Sequence, residues 1–279
     1  MNTVHDLRVF LLGLATTAVL LGQADPREAM RHAVAAEASN WRIARNYGFL
    51  QRVELRRLDA QGRLKLTEVE TYDITLPEGT PYRQLIQRDD RPLPASEEKK
   101  ERENLARSSA ARRLENAGER AKRLFTYENR PEWQRDAWQE MLDAFEFRLV
   151  GEERLDGRGL LVIQAIPRQE YQPRSRTARL FRSLQGRFWV DQQDFQIVKV
   201  EAEVTDTISI GAFLVRVAKG SRATLEMACA GDRVCQPDRL QVFASARLGL
   251  LAVLRIEQTV HYSRYTEAPA SRISTAATP

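Results

Sequence analysis

Two cysteines and three histidines make up the whole thiol and imidazole inventory of the chain: Cys229, Cys235, His5, His32 and His261. The cysteines stand six apart around the turn-rich Ala230-Gly231-Asp232-Arg233-Val234. Strand-like runs, Ala223–Ala228 and Leu240–Ala246, flank that turn, so a disulfide closing a hairpin is expected. Loop closure over so short a segment contributes roughly 2 kcal/mol. A dithiol redox centre would ordinarily use CxxC spacing, which these two residues lack. His32 falls on an expected helix and His261 on an expected strand, with no His-x-x-x-His pair. There is no Gly-x-Ser-x-Gly, phosphate-binding loop or dinucleotide fingerprint. Carboxylates are plentiful, but their spacing gives no support to a glycosidase-like pair. These residues predict a non-enzymatic protein with no catalytic residue, no metal site and no cofactor.

The chain has 279 residues, 43% hydrophobic and 29% charged, a globular composition long enough for a sizeable core. Its net charge of +5 comes from 37 Arg and 6 Lys against 38 Asp plus Glu. The basic residues are interleaved with acids nearly everywhere, so no electrostatic stripe forms and no nucleic-acid partner is expected.

The apolar run from Val9 to Gly22 follows Arg8 and precedes Gln23 and Ala24. As a helix it would reach only about 21 Å, short of the ~30 Å hydrocarbon core. An export signal over residues 1–24, cleaved before Asp25, is the expectation, with an uncleaved anchor as the alternative. The mature protein is then expected in the periplasm. No second apolar run is long enough to span a membrane.

Positions that carry no chemistry must instead form surfaces, and the elements show which. Asp25 to about Arg45 reads as a helix with Met30, Val34, Ala38, Trp41 and Ile43 near one face. Tyr47–Leu58 and Leu64–Leu76 read as a hairpin across Asp59-Ala60-Gln61-Gly62, and Tyr82–Gln87 as a third strand. From Ser96 to about Tyr127 a long charged helix is expected, with few large apolar anchors. A second helix from Pro131 carries Trp133, Ala137, Trp138, Met141, Leu142 and Phe145 at helical spacing. That face must pack against a sheet, either as plain core or as a ligand-contacting lid.

The remainder reads as antiparallel strands. Phe147–Glu153 and Leu160–Pro167 flank Asp156-Gly157, a hairpin signal. Arg174–Gln185 reads as a short basic helix closed by Gly186. Arg187–Val190 and Phe195–Val204 follow, with Val198, Val200, Ala202 and Val204 assigned to one face. Ile208–Val217 is ambiguous between strand and helix. Strands are expected again at Arg222–Cys229, Leu240–Leu248 and Leu251–Tyr265, the last with Leu254, Ile256, Gln258, Val260 and Tyr262 on one face. Residues 267–279 read as a disordered tail. The class is α+β, with about nine to eleven antiparallel strands that must curl or split.

An export signal, a leading amphipathic helix, a strand meander, a central helical insert and the run Gly186-Arg187-Phe188-Trp189-Val190-Asp191-Gln192-Gln193-Asp194-Phe195-Gln196-Ile197-Val198-Lys199-Val200-Glu201 together resemble the outer-membrane lipoprotein-sorting superfamily, the LolA-like periplasmic proteins. Gly220-Ser221-Arg222 and Val260-His261-Tyr262-Ser263-Arg264-Tyr265 also look like that group. The resemblance implies a single domain over 25–266, a curved, incomplete antiparallel barrel with an insert at about 95–145. Helices would cover its concave face, with lipid or lipoprotein acyl chains between them. Trp133, Trp138, Met141, Val198, Val200 and Ile256 are the residues expected to bind lipid. Each acyl CH₂ withdrawn from water contributes about 0.8 kcal/mol, so one long chain supplies a large driving force. Such a protein would act as a monomer in lipid transport or sorting to the outer membrane. The alternative on the same fold is an envelope regulator that binds a membrane-anchored protein partner, its apolar faces closed on each other as a dry core.

Overall fold

The structure is a computed structural model that describes residues 25–128, 130–174, 178–210, 215–230, 234–248 and 252–268. The expected export signal lies outside them. Helix α1 (Pro26–Ala44) starts where Asp25 accepts the Arg27 N–H at 2.9 Å, with Pro26 in the first turn and Glu28 beside it. Strands β1 (Tyr47–Leu58) and β2 (Leu64–Thr75) form a hairpin whose turn is tied by the Asp59 carboxylate accepting from the Gln61 and Arg63 N–H groups. A short 3₁₀ turn at Pro77–Gly79 leads into β3 (Tyr82–Arg88) and the two-residue β4 (Arg91–Pro92).

The long charged helix breaks in two. Helix α2 (Ala95–Arg113) has Glu97 and Glu98 in its first turn and Arg112 and Arg113 in its last. Helix α3 (Ala117–Glu128) restarts after Leu114 because Asn116 and Glu119 cap each other. The Glu119 N–H donates to Asn116 Oδ1 at 2.9 Å, and the Asn116 N–H to Glu119 Oε2 at 3.1 Å. This reciprocal pair satisfies two backbone donors that a continuous helix would have used otherwise.

Helix α4 (Arg130–Ala144) runs directly into β5 (Phe145–Leu155), which pairs with β6 (Arg158–Pro167) across Asp156 and Gly157, both at positive φ. Of the basic segment Arg174–Gln185 expected as a helix, residues 175–177 lie outside the described residues, Ala178–Ser183 form a 3₁₀ turn, and Gln185 and Gly186 belong to β7 (Leu184–Asp191). Strand β8 (Ile197–Val204) follows a turn with Phe195 at φ 57°. The ambiguous segment supplies two short strands, β9 (Ile208–Ile210) and β10 (Val215–Val217). Strands β11 (Arg222–Ala230), β12 (Val234–Leu248) and β13 (Ala252–Glu267) complete the sheet. The sheet reaches Glu267, and the Ala268 N–H still donates to the Asn46 carbonyl, so pairing extends past residue 266.

The thirteen strands among the described residues join one antiparallel sheet in the order β4-β3-β2-β1-β13-β12-β11-β8-β7-β6-β5, with β9 and β10 branching from β12. The two end strands do not pair with each other, so the sheet stays open, a half-barrel. The two-residue β4 and the short β9 and β10 raise the count above the expected nine to eleven. Helices α1 and α4 pack on one face, here the inner face. There Met30, Ala33 and Val34 meet Met141, Leu142, Phe145, Ile163, Phe188 and Val190 in the main core.

A β-bulge corrects one expected alternation. Trp189 pairs with Lys199 but Val190 pairs with Ile197, so the register slips between them. An extra residue shifts the side chains beyond it to the other face. Val200 packs against the main core, whereas Val198 packs with Leu160, Val162 and Trp189 in a separate cluster on the outer face. Val198 therefore does not share a face with Val200, Ala202 and Val204.

Candidate ligand groove

The registers place residues of eight strands in one row on the inner face. Val53 pairs with Val260, Val260 with Leu240, Leu240 with Leu225 and Leu225 with Val200. Val200 then pairs with Phe188, Phe188 with Ile163 and Ile163 with Leu149. Directly paired residues in a sheet point to the same side, so this is a continuous apolar band. The adjoining row is different in volume: Val242, Ala223, Ala202, Gly186 and Ala165. Four consecutive strands there carry nothing larger than a methyl group, and the row is a trough beside the band.

Helix α4 roofs part of that trough. A cavity of about 330 Å³ lies between Trp138 and Met141 above, Ala165, Gly186 and Ala202 below, and Phe145, Phe181, Leu184, Phe188 and Val200 at the sides. Its aromatic walls are edge-on: Trp138 to Phe188 at 6.4 Å and Phe145 to Phe181 at 5.6 Å between ring centroids. A space of this size lined by apolar and aromatic side chains is at the small end of ligand sites. Gly186 is required by the sheet itself, since a Cβ there would lie 2.7 Å from the Glu201 carbonyl oxygen. The trough is therefore barest of side chain at a point where β7 and β8 pass close to each other.

Beyond the roof, the same face continues across β11, β12, β13 and β1. Leu225, Leu240, Val242, Val53 and Leu55 are only half-buried there, while Val260 is buried. Ile256 shares this face, paired with Arg57 and Ala244, and is half-buried away from the cavity.

Of the six residues expected to bind lipid, Trp138, Met141 and Val200 converge on the cavity. Ile256 lies on the same face at a distance along the sheet, Val198 is on the opposite face, and the Trp133 side chain lies outside the described residues. Sequence reasoning missed the floor, Ala165, Gly186 and Ala202, and the walls Phe181 and Leu184. A glycine inside a strand pattern signals close backbone approach, and Gly186 was the available sign.

The cysteines are joined, Cys229 to Cys235, at the end of the β11–β12 hairpin. Helix α1 is anchored there. Asn40 Nδ2 donates to the Cys235 carbonyl at 2.6 Å, and the Cys235 N–H donates to Asn40 Oδ1 at 2.9 Å, both buried. Further polar groups gather at this end of the helix. Burial pushes the Glu37 carboxyl above its ordinary value. Trp41 Nε1 and Gln236 Nε2 are buried without a hydrogen-bond partner.

Among the described residues no helix is long and apolar enough to cross a membrane, and no group of three or more His, Cys, Asp or Glu is placed to hold a metal ion.

No protein-family model matches the chain, and no curated protein matches it. Solved structures do. One is a putative outer membrane lipoprotein-sorting protein domain from Vibrio parahaemolyticus, 11% identical, with a TM-score of 0.35, covering 87% of this chain and 93% of that one. Another is a LolA superfamily protein from Nitrosomonas europaea, 11% identical, TM-score 0.29, covering 88% and 95%. A third is MucB in the MucA/MucB complex of Pseudomonas aeruginosa, 11% identical, TM-score 0.25, covering 88% and 100%. The first two come from the LolA-like group that the sequence resembles.

Proposed function

We propose that this protein is an exported, non-enzymatic carrier that holds an acyl chain of a lipid or lipoprotein in the trough beneath α4. The observation that supports this reading is the trough itself, a row of Ala and Gly on neighbouring strands beside an apolar band, roofed by Trp138 and Met141. A small-residue row at close-packed spacing accommodates a chain lengthwise with little rearrangement. Each methylene removed from water contributes about 0.8 kcal/mol, before the cost of ordering the chain. The half-buried continuation across β11, β12 and β13 would accept the rest of a long chain or a second one. Residence in the periplasm and sorting to the outer membrane belong to the same proposal.

The experiment is native mass spectrometry of the delipidated mature chain with added fatty acid or acyl peptide, alongside titration with a fluorescent fatty acid. Uptake with micromolar affinity or better is expected. No uptake by either method overturns the carrier reading.

One observation favours a second reading, a membrane-anchored protein partner. Among the described residues strand β5 pairs only with β6, and Val150 and Leu155 stand exposed on it, a sheet edge of the kind that accepts an extended peptide. Recovery of one membrane protein by the immobilised chain, with no lipid uptake, would favour that reading over the carrier.

A further inference from the structure

Helix α2 does not join α1 and α4 on the inner face. Leu50 pairs with Asp73 and Asp73 with Gln84, and Leu50 stands three residues from the inner Val53 along β1, so this row lies on the outer face. Helix α2 crosses there, against β3 and the Pro77–Gly79 turn, and buries none of its own residues. It stands over two open spaces that share Leu105 as a wall. One, of about 640 Å³, is lined by Leu50, Leu76, Asp73 and Thr75, and the other, of about 550 Å³, by Gln84, Ile86 and Leu93.

Polar groups converge on the larger space. Asp73 and Thr75 are alternate residues of β2, so both point towards α2 from positions about 7 Å apart. Ser109 lines the same space from the helix. Thr75 Oγ1 is buried without a hydrogen-bond partner. Asp73 is half-buried and, among the described residues, makes no hydrogen bond or ion pair. Burial alone pushes its carboxyl above the ordinary value. The charged neighbours do not relieve it. Arg102, on the wall of the smaller space, is paired with Glu98, and Arg264 and Glu267 line the larger one as exposed residues of opposite charge.

We propose that the space beneath α2 is a second binding site, separate from the trough, for an amphiphilic primary amine, whose ammonium sits among Asp73, Thr75 and Ser109 and whose apolar tail runs between Leu50, Leu76 and Leu105. An ammonium has three donors and no acceptor, and one carboxylate and two hydroxyl oxygens answer it. A charge pair partly withdrawn from water is stronger than one at the surface. The tail fills the space that α2 leaves open, so binding steadies a helix that the empty protein ties down through Arg112. The site does not depend on the carrier reading.

The test follows hydrogen exchange through 95–113 in the mature chain with decylammonium, decanoate or decanol added below micelle-forming concentrations. Decylammonium is expected to slow exchange about fivefold or more, and the other two less than about twofold. Asp73→Asn, nearly isosteric, is expected to abolish the slowing, with the melting temperature held or raised because a desolvated carboxylate is gone. Thr75→Val keeps the shape and is expected to weaken decylammonium binding about threefold, so the test does not rest on one variant. Ala202→Leu, in the trough, should leave the effect unchanged. No slowing by decylammonium, equal slowing by decanol, or slowing retained in Asp73→Asn overturns the amine site. Loss of the effect in Ala202→Leu also overturns it and places the amine in the trough.

Discussion

Asn40 and Cys235 exchange two hydrogen bonds, at 2.6 and 2.9 Å, across 195 residues of sequence. Through them the first helix of the fold is clamped to the hairpin that the disulfide closes. Neither group can turn to water, since Asn40 is 3% exposed and Cys235 2%.

Asn40→Ala leaves a buried N–H and a buried carbonyl unmet, at about 1–3 kcal/mol each. The expected total is roughly 2–6 kcal/mol, read as a fall of about 4–24 °C in melting temperature for a domain of this size. Asn40→Asp keeps the acceptor and loses the donor, so it should fall between the two. Thermal unfolding followed by circular dichroism measures all three.

The disulfide is expected to add roughly 2 kcal/mol by closing a short loop of the unfolded chain. Replacing both cysteines by serine should lower stability by about that amount. Because Cys235 also carries the backbone groups that Asn40 holds, the double change should cost less than the sum of its parts. Urea unfolding of the single and combined variants gives the coupling directly.

Filling the trough separates ligand binding from folding. Ala202→Leu places a branched side chain on the cavity floor, where about 330 Å³ is open. Fatty-acid affinity is expected to drop at least tenfold, with the melting temperature held or raised because the added methyl groups meet Trp138 and Phe188. A variant that binds as tightly as the parent would place the acyl chain elsewhere.

Glu37 gives a pH signature. Burial raises its carboxyl in the folded state, so the folded protein holds that proton more tightly than the unfolded chain does. Its contribution to stability is greatest below the ordinary carboxyl range and is lost as pH rises through the raised value. At pH 7 the ionised group is a burden, and Glu37→Gln should melt a few degrees higher than the parent. The gap should close as pH falls towards 4. Melting curves between pH 4 and 8 decide it.

The charged insert is held by two arginines. Arg112 Nη1 donates to the Pro77 and Thr80 carbonyls at 2.9 and 2.7 Å, and Arg123 Nη1 donates to the Glu78 carbonyl and to Thr80 Oγ1. Helix α2 has no buried residue, so these bonds replace apolar packing. Arg112→Ala should speed hydrogen exchange through 95–113 by about tenfold while β6 and β7 exchange as before. Mass spectrometry of peptic fragments reads both regions at once.

Local chemistry determined a good deal of this protein. The Asp156-Gly157 turn and the apolar spacing of Trp138 and Met141 act over a few residues, and each produced the element it predicts. The break at Asn116 was also written locally, as Asn followed three residues on by Glu, but a run of good helix formers masked it. What alternation could not reveal is where a strand slips. The extra residue beside Trp189 sends Val198 to the outer face, because a period of two has no memory across a bulge.

The sequence by itself, then, determined a strand-rich α+β protein with amphipathic helices. Which small residues align was decided only by tertiary structure. Ala165, Gly186, Ala202 and Ala223 lie on four strands spread over nearly sixty residues, and only sheet register brings them into one row. The same holds for Asn40 and Cys235, and for the unmet polar groups beside them: burial is a property of what surrounds a side chain, and no neighbour in sequence supplies it.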